Sequence, residues 1–141
     1  MRMMRTVCAL ALGAVCFSSL VHADTAAYQA KQLAKFERYA GPPIDQFSMT
    51  SLYQWQVVGA QNVVVWPTIN TAYLLTVEKP CTLLRWTNAL GISQEMSMKV
   101  TQKFDFVAFD HQRCPISKIQ PIDYKALRSD ERKAAADTAK E

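Results

Sequence analysis

The sequence predicts an α+β, mostly β, domain: a small antiparallel sheet or partly open barrel of five to six strands, with an N-terminal helix and a short C-terminal helix. Three observations predict it. Residues 52–122 carry short stretches that alternate apolar and polar side chains or run apolar on both faces, separated by turn-forming residues. Residues 24–40 instead place Ala26, Ala30, Leu33, Phe36 and Ala40 at three- and four-residue spacing. Beyond the first 23 residues, only Cys81 and Cys114 remain to cross-link the chain.

The first 23 residues read as a secretory signal peptide. Arg2 and Arg5 precede an apolar run over residues 7–21, and Val21-His22-Ala23 offers a small-residue cleavage site. The run is too short for a permanent span, which takes about 20 residues, and no second such stretch follows. The expected mature chain starts near Asp24 and has no transmembrane segment. Its localisation is then periplasmic or secreted. A lipid anchor on Cys16 is disfavoured, because Gly13-Ala14-Val15 lacks a small residue directly before the cysteine. Losing Arg2 and Arg5 lowers the formal charge of +4, and the remaining cations are scattered along the chain, so nucleic acid is not the expected partner.

The organisation is expected as residues 1–23 signal peptide, 24–43 helix and linker, 44–127 β-rich domain and 128–141 charged tail. Gly41 at C′ and Pro42-Pro43 stop the first helix. Tyr53, Trp55 and Val57 alternate with Gln54 and Gln56 as a half-buried strand. Residues 59–62 then turn the chain into the apolar run Val63-Val64-Val65-Trp66, making a first hairpin. A third strand spans residues 72–77. Leu83, Trp86 and Leu90 fall at helical spacing, with Gly91 as a cap, so residues 81–91 read as a short helix or turn. Met96, Met98 and Val100 alternate as a strand, and Gln102-Lys103 joins it to a strand over 104–109 in a second hairpin. The last strand, residues 114–122, contains Pro115 and Pro121, whose missing N–H groups restrict it to an edge or a strand end. Asp123 caps a C-terminal helix docked by Tyr124 and Leu127, and past Arg128 the chain is a solvated helical extension or a disordered tail.

With two cysteines in an exported domain, a structural Cys81–Cys114 disulfide is the expected pairing. A redox pair or metal thiolates would call for CxxC spacing or more histidines. Phe36, Tyr39-Ala40-Gly41, Trp55, Tyr73-Leu74-Leu75, Cys81, Phe104-Asp105-x-Val107, Cys114-x-Ile116-x-x-Ile119 and Pro121-x-Asp123 together resemble a family of small secreted bacterial proteins known as a domain of unknown function. The resemblance covers residues 36–128. It implies export and a compact β-rich domain, and it supplies no catalytic residues.

Candidate sites are few. Asp105, Asp110 and His111, close to Cys114, form the densest polar group, with carboxylates and one imidazole for acid–base chemistry if the fold brings them together. Their spacing argues otherwise: Asp105 is expected to accept backbone donors, and Asp110-His111 to form a turn. No GxGxxG, P-loop, GxSxG or HExxH pattern occurs, so no cofactor or metal is expected. Among the aromatics Tyr53, Trp55, Trp66, Tyr73 and Trp86, most are expected in the core. Trp66, Tyr73 and Trp86 are the candidate binding surface, with Trp86 foremost because it lies outside the strands. The leading expectation is a non-enzymatic periplasmic protein that binds an unknown protein or envelope component. The alternative is a small cell-wall hydrolase, or an inhibitor of a lysozyme-type hydrolase.

Overall fold

A computed structural model describes residues 20–81, 84–95 and 98–140, with side chains from Thr25 onward. The expected leader therefore lies outside the described residues as far as position 19, as does Met96. The order of elements is α1 (Leu20–Glu37), β1 (Gln46–Ser48), β2 (Gln54–Val57), β3 (Asn62–Thr68), β4 (Thr71–Val77), a 3₁₀ turn (Leu84–Trp86), β5 (Gly91–Ile92), β6 (Lys99–Thr101), β7 (Phe106–Phe109), β8 (Gln112–Ile122) and α2 (Tyr124–Thr138). Six strands form one antiparallel sheet in the order β2-β3-β4-β8-β7-β5, curled into a half-barrel, and β1-β6 form a separate pair.

The period-two pattern decides which face each residue occupies. Val64, Trp66, Ala72 and Leu74 point to one side, where Phe36 of α1 and Leu127 of α2 cover them. Val63, Val65, Leu75 and Val77 point to the other, onto Phe47 of β1, Val100 of β6, Ile116 and Ile119. Both faces are buried, which is why β3 reads as a continuous apolar run. Phe47 stacks on Tyr73 with ring centroids 4.1 Å apart, so the small β1-β6 pair acts as a lid over the concave face.

Several elements differ from the sequence reading. Glu37 ends α1 before Gly41, since Tyr39 N–H and Ala40 N–H turn back to the carbonyls of Phe36 and Glu37. Gly41 is not an αL cap, since its φ is negative or extended, and a side chain there would make ordinary contact with Pro121. Its N–H donates to Pro121 O at 2.7 Å, and a Cβ there would sit 3.4 Å from the Pro121 ring. The second hairpin does not form: β6 pairs with β1, while β7 pairs with β5 and β8. Gln102 and Lys103 still turn the chain, with Asp105 N–H bonding Thr101 O, but the strands on either side enter different sheets. Gly91 opens β5 and caps no helix; two-residue β5 and three-residue β1 are too short to register as a periodic pattern.

The largest correction is β8. It lies inside the sheet and not at an edge, although Pro121 does fall at a strand end, because β8 changes partners along its length: β7 pairs with residues up to Pro115 and β4 with residues from Ile116 on. Pro115 is the last residue paired with β7, and Pro121 lies one residue before the end of the β4 ladder, with its carbonyl turned away from β4. Pro115 O accepts from Glu78 N–H, just past the end of β4, and Pro121 O accepts from Gly41 N–H in the linker. A strand residue turns its N–H and C=O to the same side, so neither missing N–H interrupts a continuous ladder. Pro67 is handled likewise, at the irregularity between Val65 and Thr68.

Cys81 and Cys114 are joined, with Cα atoms 6.0 Å apart, tying the segment after β4 to the first third of β8. At the C-terminus the helical extension is formed. Asp123 Oδ1 accepts from Ala126 N–H at 3.0 Å, Leu127 is buried, and α2 continues to Thr138. The two helices are clasped by a Lys35–Glu131 ion pair and by Tyr39 Oη donating to Asp130 Oδ2 at 2.8 Å. That hydroxyl holds the Asp130 carboxyl below its usual range, and the carboxylate in turn raises the phenol of Tyr39.

Two outcomes follow from this packing. Cys81→Ser with Cys114→Ser loses the loop restriction of a 33-residue separation, about 3–4 kcal/mol in the chain-entropy model, and should lower Tm by ~10 °C in calorimetry; an unchanged Tm would remove the disulfide from the stability of the fold. Tyr39→Phe should lower Tm at neutral pH. A depressed carboxyl contributes stability that is present above its unfolded value, near 4, and lost as pH falls through the folded value; a raised phenol contributes stability that is present below about 10 and lost as pH rises. The Tm gap between Tyr39→Phe and wild type should therefore close at both extremes, and a gap independent of pH would contradict the pairing.

Candidate functional site

The expected polar group is divided by the fold. Asp105 is 1% exposed and works as a structural hub. Its Oδ1 accepts from Ser93 Oγ at 2.7 Å and Glu95 N–H at 3.0 Å, and its Oδ2 from Thr101 N–H at 2.7 Å. Ser93 Oγ accepts in turn from Phe106 N–H at 2.9 Å. A carboxylate among large apolar neighbours is desolvated, and these donors replace the lost water. Asp110 and His111 lie at the far end of β7. They form the two-residue turn of the β7–β8 hairpin, both with positive φ, 42° and 64°, as a type I′ turn requires. An open recess of about 540 Å³ beside them is lined by Leu90, Phe109, Asp110, His111 and Arg113, without Asp105.

The three candidate aromatics do not share a surface either. Trp66 is 4% exposed, with edge-to-face contacts to Phe36 and Tyr124 at 5.9 Å each. Tyr73 faces the opposite side of the sheet, half-buried against Phe47. Trp86 is 50% exposed. Trp66 and Tyr73 are thus packing residues, and Trp86 alone of the three is an exposed residue.

Around Trp86 the fold builds a recess of about 440 Å³, lined by Ala60, Gln61, Lys79, Pro80, Cys81, Arg85 and Trp86. Each wall is anchored. Gln61, in the β2–β3 turn, exchanges bonds with Val77: its Nε2 donates to Val77 O at 3.2 Å and its carbonyl accepts from Val77 N–H at 2.9 Å. The disulfide fixes Cys81, and Leu84, fully buried, pins the 3₁₀ turn to the core. Thr87 closes that turn, its Oγ1 donating to Ala89 O at 2.6 Å. Lys79 and Arg85 are the charged residues of the lining, so the recess joins a large aromatic face to two cations. This chemistry suits an anion that also carries a flat or apolar part. Trp86 was legible as an aromatic outside the strands. Lys79, Arg85 and Gln61 carry no motif in the sequence beyond the adjacent pair Arg85-Trp86.

A model described as Family of unknown function (DUF6491) matches residues 3–138. The chain belongs to that family. The resemblance seen over residues 36–128 thus extends across nearly the whole DUF6491 chain, including its N-terminal stretch. No curated protein and no solved structure matches it. Membership in DUF6491 brings no assigned chemistry, so the geometry must carry the functional argument.

Asp105→Ala should leave the donors of Ser93, Glu95 and Thr101 unpaired, at a cost of about 1–3 kcal/mol. A lowered denaturant midpoint is expected. A variant as stable as wild type would contradict the structural role.

Proposed function

We propose that this protein is an exported, non-enzymatic binding protein of the bacterial periplasm, and that the Trp86 recess takes an anionic ligand with a flat or apolar face. One observation carries the reading: Trp86 stands half-exposed beside Lys79 and Arg85 on a turn pinned by the disulfide and by Leu84. A large aromatic exposed on a rigid element costs little conformational entropy to bind with, and flanking cations add attraction for carboxylate or phosphate. Export is supported by the charged, apolar and small-residue order of the first 23 residues, and by a disulfide, which persists in oxidising compartments. Cell-wall fragments, which combine carboxylates with the apolar faces of sugars, are a natural ligand class in that compartment.

Titration of tryptophan fluorescence with soluble muropeptides tests the site. Trp86→Ala should weaken binding by about tenfold or more, and Lys79→Gln with Arg85→Gln should remove its salt dependence. Equal binding by Trp86→Ala would reject the recess, and clearing of a cell-wall suspension by the protein would favour the hydrolase reading. For export, intact mass of periplasmic material should give a chain that starts at or near Asp24; a full-length mass would reject it.

A further inference from the structure

The charges that look scattered along the C-terminal stretch are sorted by α2 into separate faces. Asp130 and Glu131 turn toward α1, where Tyr39 and Lys35 meet them. Lys125, Arg128 and Arg132, spaced three and four residues apart, share another face, which with Tyr124 and Asn70 lines a recess of about 400 Å³. All three cations are exposed, and among the described residues none has a carboxylate within ion-pair distance. Asp123, the acid nearest Lys125 in sequence, is committed to the helix cap through Ala126 N–H, and Asp130 and Glu131, nearest Arg128 and Arg132, are engaged by Tyr39 and Lys35. Arg128 lies over the Tyr124 ring at 5.8 Å, which orients its guanidinium without neutralising it.

The first turn of α2 holds no acidic residue. Lys125 lies in that turn, where the Asp123 carboxylate at the N-cap meets the helix dipole, and Arg128 and Arg132 lie beyond the dipole's reach. From Lys125 to Arg132 the cations extend about 10 Å along the axis, more than one phosphate covers. Beside them, Asn70 and Ile69 form the tip of the β3–β4 hairpin, and Ile69 is 55% exposed. An extended row of unpaired cations, next to a hairpin tip that carries an exposed aliphatic residue, matches a bilayer surface, where headgroup phosphates meet the cations and the aliphatic group enters the interface. Nucleic acid would use the cations but gives Ile69 no role.

We propose that the Lys125–Arg128–Arg132 face of α2, with Ile69 and Asn70 at the β3–β4 tip, docks the protein on an anionic phospholipid surface. This surface is separate from the Trp86 recess: the β2–β3 and β3–β4 turns lie at opposite ends of β3, so the two sites can be engaged together.

Co-sedimentation of the full chain with phosphatidylglycerol and with phosphatidylcholine vesicles tests the proposal. The apolar run over residues 7–21 is common to every variant, so the readout is the salt-sensitive preference for phosphatidylglycerol. Lys125→Gln, Arg128→Gln and Arg132→Gln combined should reduce that preference by about tenfold or more. Lys99→Gln, Lys103→Gln and Lys118→Gln, which remove the same charge elsewhere, should leave it intact. Ile69→Ser should weaken binding while preserving its salt dependence. The proposal is overturned if the two triple variants behave alike, if wild type binds both vesicles equally, if soluble glycerophosphate or single-stranded DNA displaces the protein from vesicles at equal phosphate concentration, or if Ile69→Ser binds as wild type does.

Discussion

The Asp105 carboxylate is the interaction on which the arrangement of the β-half depends. Three donors converge on it from the segment after β5, from Ser93 and Glu95, and from β6 at Thr101. The same residue's backbone reaches further: its N–H bonds Thr101 O, and its carbonyl accepts from Ile116 N–H of β8. One buried residue therefore joins the small β1-β6 pair, the β5–β7 edge and the central strand. An unsatisfied carboxylate in that position would be strongly unfavourable, so alternative pairings of these short strands are penalised together. Short strands with few ladder bonds of their own need such a tie.

On the other face the constraint is hydrophobic. Trp66 sits between Phe36 of α1 and Tyr124 of α2, and Leu127 completes the cover. The helices touch the domain through few residues. They are held to each other by Lys35–Glu131 and Tyr39–Asp130, exposed contacts that contribute modestly compared with the burial of Phe36, Trp66 and Leu127. Polar clasp and apolar footing divide the work: the footing supplies stability and the clasp sets the helix rotation. Once α2 is rotated so that its acids face α1, its cations must face away.

Rigidity and exposure coincide at the Trp86 recess. The disulfide, the buried Leu84 and the Gln61–Val77 bonds each fix a wall, and Trp86 is left half-exposed. A half-exposed tryptophan on a mobile loop would lose binding energy to ordering; on this turn the ordering is already achieved by folding. The site and the cationic face of α2 stand at opposite ends of β3, which fits a small domain that meets two different chemistries at once.

Elements with a long enough period or a distinctive turn are legible from residue order alone: α1 from Phe36 and Leu33, the β2–β3 hairpin, β4, the Asp123 cap and the Asp110-His111 turn. Residue order also determined the cysteine pair, because no other partners remained after residue 23, and it marked Asp105 as a carboxylate that must find donors. Tertiary structure decided the rest. Nothing local in Pro115 and Pro121 reveals that β8 changes partners between them and so can be central. Strands of two or three residues, β1 and β5, carry no period. The identical aromatic chemistry of Trp66 and Trp86 gives no sign that one is covered by two helices and the other is not. The cations of α2 could be read as one face from their spacing, but which way that face turns depends on Tyr39 and Lys35, nearly a hundred residues earlier in the chain, because only packing brings their donors and charge to Asp130 and Glu131.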